Sequence, residues 1–471
     1  MIASSIKVLS DAEQTRIHEA ALTVLEQAGM RLEEDQLIRQ LKARGAVVDA
    51  RGRIRMPRQL VAECLSSVDR RPKMKCVNGK ALLYGPQDRH YASLVTDPFI
   101  VDYREGVRKP RLEDIARHAR LGDALPLIDS IHLMDDTIPG LDPATSELKG
   151  LEKLVSNTTT CYHCAPGSLR GTHYWIDIAQ IMAGGDLKQN PILAAYVPSV
   201  SPLTLTGFNT QQLRLFLAAG VLCSLGPCAI AGATAPYTVA GLVVQSWAEF
   251  LAMVVAVQVI QPGAPVVGGG GGAHHMDMST GESIYSGMSK ALASAAINEL
   301  CAWLDLPTGS GNFTTLCSNY GVQNGMESAL GVFATFFSRV NNFGGMGSLA
   351  NACGMSAVQI VLHHQLVEML ERFRRGIDTA EKMIGLDSIV AIGPRGNFLE
   401  DPLTLESLRS DEHFYASCFE QCAGTQDVST MAERAHELAE ELIARQPQVP
   451  QDRVLEVRRY VAQRLSELRS A

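Results

Sequence analysis

PGAPVVGGGGGAHHMDMSTGE, residues 262–282, is the stretch whose reading decides the fold. The apolar run 264–267, bounded by Pro and Gly, has the length of a buried strand. Five glycines follow at its carboxyl end, Gly268, Gly269, Gly270, Gly271 and Gly272, so no side chain crowds a ligand lying flat on that backbone. His274, His275, Asp277 and Glu282 then fall within nine residues.

Working outward, the same plan of apolar strand, polar or glycine-rich end and helical stretch recurs. Candidate strands lie at 130–134 (ending in Asp135 and Asp136), 158–161 (followed by His163), 192–197, 228–230, 264–267, 308–313, 339–343 and 388–392. Eight strands alternating with helices predict an α/β fold, a parallel (β/α)8 TIM barrel over residues 116–400, with ligands at the carboxyl ends of the strands. Residues 1–115 read as an N-terminal attachment of helices and β-hairpins, opened by a Ser10-to-Glu13 capping box. Residues 401–471 read as a C-terminal helical extension packed on the barrel.

Composition bounds the function. The 471 residues are 46% hydrophobic and 20% charged with a formal net charge of -8, and no Lys/Arg run tracks a phosphate backbone, so nucleic acid is not expected as a partner. No secretory signal opens the sequence, which predicts a cytoplasmic protein. The 11 cysteines show no disulfide framework. Cys161 and Cys164 have CxxC spacing without a second such pair, and Cys418 and Cys422 have helical spacing, so structural thiols are expected and no bound metal ion. Segment 238–260 is apolar enough for a membrane, but Glu249 at its centre predicts a buried core helix instead.

Several words in order, SPLTLT (201–206), GATAPYTVAGLVVQSWAEFLA (232–252), QPGAPVV (261–267), DMSTG (277–281), GMES (325–328) and GPRGNFLEDPLTLE (393–406), resemble the trimethylamine methyltransferase (MttB-type) superfamily. The resemblance covers most of the chain. It implies a (β/α)8 barrel that moves a methyl group from an amine to the Co(I) of a cognate corrinoid protein, so the corrinoid (methylcobalamin) belongs to the partner and none is bound covalently. Founding members carry pyrrolysine; this chain has none and is similar to the non-pyrrolysine branch, some of whose members demethylate quaternary amines such as glycine betaine. The chain departs from the family pattern at 318–321 (Ser-Asn-Tyr-Gly) and at Ser289-Lys290. A barrel lyase or hydrolase with a phosphate site at the glycine run, and a non-catalytic amine-binding subunit of a corrinoid complex, remain as alternatives.

For a quaternary ammonium, attack on the methyl carbon expels a neutral amine without an acid, so the site's tasks are binding and orientation. Candidate catalytic residues are His274, His275, Asp277, Gln323 and Glu327. Candidate substrate residues are Asp135, Asp136, Tyr196, Asn319, Asn341, Asn342 and Phe343, with His163 and Tyr237 as weaker ones. The glycines 268–272 are the candidate corrinoid-facing surface, against a phosphate cradle or plain packing. His363-His364, inside a helical run, reads as structural. The apolar helices admit a homo-oligomer, and an open barrel mouth is expected for a docking partner protein.

Overall fold

A computed structural model describes residues 6–133, 138–269, 272–410, 412–420 and 430–470. Eight parallel strands form a closed barrel: β1 His90–Thr96, β2 Ile128–Leu133, β3 Cys161–Cys164, β4 Leu193–Pro198, β5 Leu222–Gly226, β6 Val266–Gly269, β7 Thr308–Ser310 and β8 Asn342–Met346. Each is followed by a helix of the outer ring: α1 Leu112–Ala124, α2 Pro143–Val155, α3 Leu169–Ala183, α4 Gly207–Ala219, α5 Val239–Ile260, α6 Met288–Trp303, α7 Val322–Phe336 and α8 Ala357–Arg375. Capping chemistry sets the helix starts. Asp142, Ser168, Thr206, Thr238 and Ser356 each accept a backbone N–H of the first turn.

Strand order follows chain order, and β1 closes the ring between β8 and β2. Two sequence expectations are corrected here. The closing strand is His90–Thr96, inside the stretch expected to be attachment, whereas 388–392 belongs to a helix, Leu386–Ile392, with no buried residue. Strand β1 is buried on both faces, so its His, Ser and Thr break any apolar run; the apolar residues Leu386, Ile389 and Val390 have helical spacing. The expected strand at 228–230 is likewise displaced. Leu222–Gly226 forms the barrel, and Ala229–Ala231 joins Ala273–Met276 and Ser283–Ile284 in a small sheet that continues from β5 and β6 beyond the carboxyl end of the barrel.

The amino-terminal end of the barrel is floored by the hairpin Lys73–Lys75/Ala81–Leu83. Met74, Cys76, Leu82 and Tyr84 pack against the inward-facing Cys161, Ala194, Leu222 and Val267. Cys164 lies three residues beyond Cys161, on the opposite face of β3, packed in the main core. The CxxC spacing therefore does not bring these two thiols together; Cys161 instead lies 3.3 Å from the Cys76 thiol. Helix Asp11–Gln27 lies on α5 and α6, where Glu299 accepts the Leu9 N–H at 3.2 Å and Trp247 donates to His18 at 3.1 Å. Helix Met431–Ile443 packs on α8 and α1, and helix Gln451–Ser470 on α2 and α3.

Helix α5 is long and apolar enough to span a bilayer, but 83% of its apolar window is buried in the protein. Its centre carries Glu249, fully buried. The carboxylate accepts Ser199 Oγ and Ser201 Oγ, both at 2.7 Å, Leu203 N at 2.9 Å and Gln245 Nε2 at 3.1 Å, which fastens the loop after β4 over the helix. Removing one partner strands the others. Glu249→Ala is expected to lose about 2–4 kcal/mol of stability in denaturant unfolding, with Glu249→Gln, which keeps one acceptor, losing less.

Candidate active site

Alternation along the strands builds the barrel interior. Two residues beyond the floor layer on the same faces stand His163, Tyr196, Ser224 and Gly269. His132 on β2 is in register with His163 on β3. The two rings stack with centroids 3.9 Å apart and planes 18° apart, both buried. Burial pushes both imidazoles down, His163 to about 4 and His132 well below the ordinary histidine value, the latter also through repulsion from His163. Both are therefore neutral near pH 7. His132 Nε2 and His163 Nδ1 have no protein partner, so each offers a polar atom to a ligand inside the barrel.

Tyr196, on the neighbouring strand, donates its hydroxyl to the Gly226 carbonyl at 3.0 Å, its ring lying against the glycine, where a Cβ would come within 2.6 Å. Beyond the strand ends, His274 packs its ring on Tyr285 at 4.2 Å. Burial and the nearby Lys290 charge hold His274 well below its ordinary value. The Tyr285 N–H donates to Asn351 Oδ1 and Asn351 Nδ2 donates to the Ser283 carbonyl, both at 2.8 Å, which ties this layer to the loop after β8.

The sequence candidates separate on this frame. His163, Tyr196, His274, His275 and Tyr237 lie in or around the mouth; Asp135, Asp136, Gly270 and Gly271 lie outside the described residues. Asp277 is a turn residue: its carboxylate accepts Ser279 Oγ and N and Thr280 Oγ1, which hold it below the usual carboxylate range and shape the DMSTG hairpin. Gln323 donates to Glu327 at 2.7 Å, and Glu327 accepts the Leu316 N–H on the exposed start of α7. Asn319 accepts the Gly321 N–H in the preceding loop.

The expected strand-end position of Asn341, Asn342 and Phe343 is corrected, while Asn342, paired with Gly309, lies on the face of β8 that lines the barrel interior. They begin β8 rather than end a strand, so Asn341 sits at the floor end, donating to the Gly85 and Asp88 carbonyls at 2.8 and 3.0 Å. Phe343 faces outward, stacked on Tyr91 in a second core. The described glycines of the run are packing residues. A Cβ would approach Cys301 Sγ to 2.5 Å at Gly268, the Gly226 Cα to 2.8 Å at Gly269 and the Pro227 carbonyl to 1.6 Å at Gly272. That space is filled by the protein itself, so packing alone requires glycine at these three positions.

Sequence reasoning passed over His132, whose signal was a histidine one residue before the end of a strand, four strands around the barrel from the glycine run. Lys290 was noted only as a departure from a family pattern. It is buried at the start of α6, and its neighbours link it to the mouth. His363 is engaged within the helical layer, accepting the Gly347 N–H at 3.1 Å and meeting Gln359 Nε2 at 2.7 Å.

Comparison with known families adds the deciding observation: the family model described as trimethylamine methyltransferase (MTTB) matches residues 2–469. The chain belongs to this family. Among curated relatives it is 24% identical over 411 residues to the trimethylamine methyltransferase MttB of Desulfitobacterium hafniense, covering 85% of this chain and 82% of the relative. It is 25% identical over 399 residues to a glycine betaine methyltransferase of the same species, covering 83% and 82%. Among solved structures, the monomethylamine methyltransferase MtmB of Methanosarcina barkeri aligns with a TM-score of 0.54 at 11% identity over 93% of this chain and 89% of that one, a likeness of fold.

The buried histidines make stability depend on pH. Their folded-state values lie below the unfolded ones, so the unfolded chain binds more protons between about pH 6.5 and pH 4. Stability is expected to be complete above that window and to fall by up to about 3 kcal/mol per histidine as pH drops through it. His163→Gln should flatten the acid limb of a plot of thermal midpoint against pH; an unchanged slope would place the dependence elsewhere.

Proposed function

We propose that this family member is a methyltransferase that takes a methyl group from a methylated, quaternary amine and delivers it to the Co(I) of a cognate corrinoid protein docked over the barrel mouth. The observation that carries the reading is a family match over nearly the whole chain. The neutral histidine pair in the barrel interior agrees with it. The partner's corrinoid supplies the nucleophilic electron pair for the new cobalt–carbon bond. The nitrogen keeps the pair of the broken C–N bond and leaves as a neutral amine, so no proton need move.

What remains for this chain is to hold a cation and exclude water. Trimethylammonium offers no hydrogen bond, and aromatic faces such as Tyr196 and the His132–His163 stack hold it without forcing a proton transfer. Neutral imidazoles suit a cation, since protonated ones would repel it. The lyase or hydrolase alternative rests on a phosphate site at the glycine run, and the packing at Gly268, Gly269 and Gly272 accounts for those glycines without a phosphate. The ten described cysteines are free thiols, which fits a cytoplasmic setting.

Self-association is part of the proposal. Helices Glu381–Ile384, Leu386–Ile392 and Pro402–Ser407 contain no buried residue, yet Ile384, Leu386, Ile389, Val390, Leu399 and Leu408 are each more than half exposed. An apolar surface of this extent suits a second copy of the chain. Light scattering is expected to give a multiple of the 50.9 kDa chain mass, with Leu386→Glu combined with Val390→Glu reducing it; a monomer at micromolar concentration would refute the assembly.

The activity is tested with purified protein, a corrinoid protein reduced to Co(I) and a panel of quaternary and tertiary methylamines, following the spectrum of methylated cobalamin. One quaternary amine is expected to give methyl transfer, and His132→Leu or His163→Leu to cut kcat/KM roughly 100-fold through misplacement of the substrate. Silence across the panel, while a known relative works with its own partner, would return the non-catalytic reading.

A further inference from the structure

The chain enters β1, β7 and β8 around a cavity of roughly 380 Å³ at the amino-terminal end of the barrel, opposite the mouth. Four arginines line it from four different segments: Arg71 before the floor hairpin, Arg89 directly before β1, Arg339 between α7 and β8, and Arg374 near the end of α8. Asp305 is the one carboxylate among the described lining residues, and Arg71 Nη2 meets both of its oxygens, at 2.7 and 2.8 Å. Glu371, behind the wall, accepts the Arg374 Nε–H at 2.9 Å and the Tyr91 hydroxyl.

Arg89 is the member that the fold leaves incomplete. Its guanidinium lies on the Phe336 ring, 4.0 Å from the centroid, which orients its donors. Nη1 is buried without a hydrogen-bond partner, and among the described residues no carboxylate forms an ion pair with this side chain. Burial pulls its pKa down, with Glu371 countering that effect and Arg374 adding to it. Arg339 holds a backbone φ of 61°, a left-handed conformation that a glycine takes with less strain, so the position gains a side-chain charge at a backbone cost. The rest of the wall includes the apolar Leu306, Pro307 and Phe337.

We propose that this cavity binds a small phosphorylated compound, a phosphate monoester with an apolar body. Guanidinium forks match phosphate oxygens in pairs, and a tetrahedral phosphate presents three terminal oxygens to donors arriving from several segments. A carboxylate has two oxygens in one plane and leaves part of that set unmet. The volume lies toward the lower end of small-molecule sites, about 300–1,000 Å³, and exceeds what a bare ion fills. The apolar part of the wall takes the body of the ligand. Arg89 and Arg339 stand at the entries to β1 and β8, the strands that close the barrel, so a phosphate held between them ties that closure together at the end away from the mouth. The site is independent of the methyl-transfer reading.

Titration calorimetry on the full chain with phenyl phosphate, benzoate and inorganic phosphate tests it. Phenyl phosphate is expected to bind at least tenfold more tightly than benzoate, its carboxylate counterpart, and several-fold more tightly than inorganic phosphate. At saturation it should raise the thermal midpoint by roughly 3 °C. Arg89→Met keeps an unbranched stem over Phe336 but removes the charge, and should weaken phenyl phosphate at least tenfold. Arg339→Gln, at an exposed position, should weaken it several-fold with the unliganded midpoint little changed, so the loss is read in a folded protein. No binding of phenyl phosphate at millimolar concentration, or an equal affinity for benzoate, overturns the site. An affinity unchanged in both variants places the phosphate elsewhere and overturns it as well.

Discussion

Closure of the barrel between β8 and β1 is the constraint on which the other features depend. A parallel sheet of eight strands leaves two unpaired edges unless its ends meet. Here the His90 N–H donates to the Asn341 carbonyl at 2.7 Å, and Asn342 and Phe343 pair with His90 and Tyr91. The Asn341 side chain adds its bonds to the Gly85 and Asp88 carbonyls, fixing the turn that feeds β1. Because the hairpin Lys73–Lys75/Ala81–Leu83 runs directly into that turn, closure also carries it under the barrel as a floor. The interior is then sealed at one end, and a ligand reaches it from the other.

Burial governs the chemistry of the titratable groups, inside the barrel and on the helices around it. A group taken out of water either becomes neutral or finds compensation. His132 and His163 take the first course and Glu249 the second, with four donors around its carboxylate. Lys290 has only two carbonyls. Glu249 is satisfied by its own loop and the Lys290 ammonium meets only two carbonyls, so the fold treats these two buried charges differently.

Much of the architecture was legible in the sequence. Alternating strand and helix signals gave the barrel, Ser10 with Glu13 marked the first helix, and Glu249 marked α5 as a core helix. The errors came where a barrel strand carries polar residues. HYASLVT (His90–Thr96) has no apolar run because its side chains fill the barrel or lie under α1, and the apolar SIVAI at 388–392 took its place in the count of eight. That miscount turned no strand around, but reading 339–343 as a complete strand put Asn341, Asn342 and Phe343 at the ligand end when they begin β8 at the floor.

By itself the sequence determined the class of fold, the family and the region of the mouth, because periodicity, caps and ordered motifs are local and survive without knowledge of contacts. Only the tertiary structure decided which polar residues meet there. His132 and His163 are 31 positions apart and stack because β2 and β3 are in register. The glycines at 268, 269 and 272, which look like an open surface when read along the chain, are filled from the side by Cys301, Gly226 and Pro227. Lys290 is an ordinary helix residue in sequence and a buried charge in space, since burial depends on what the rest of the chain brings to it.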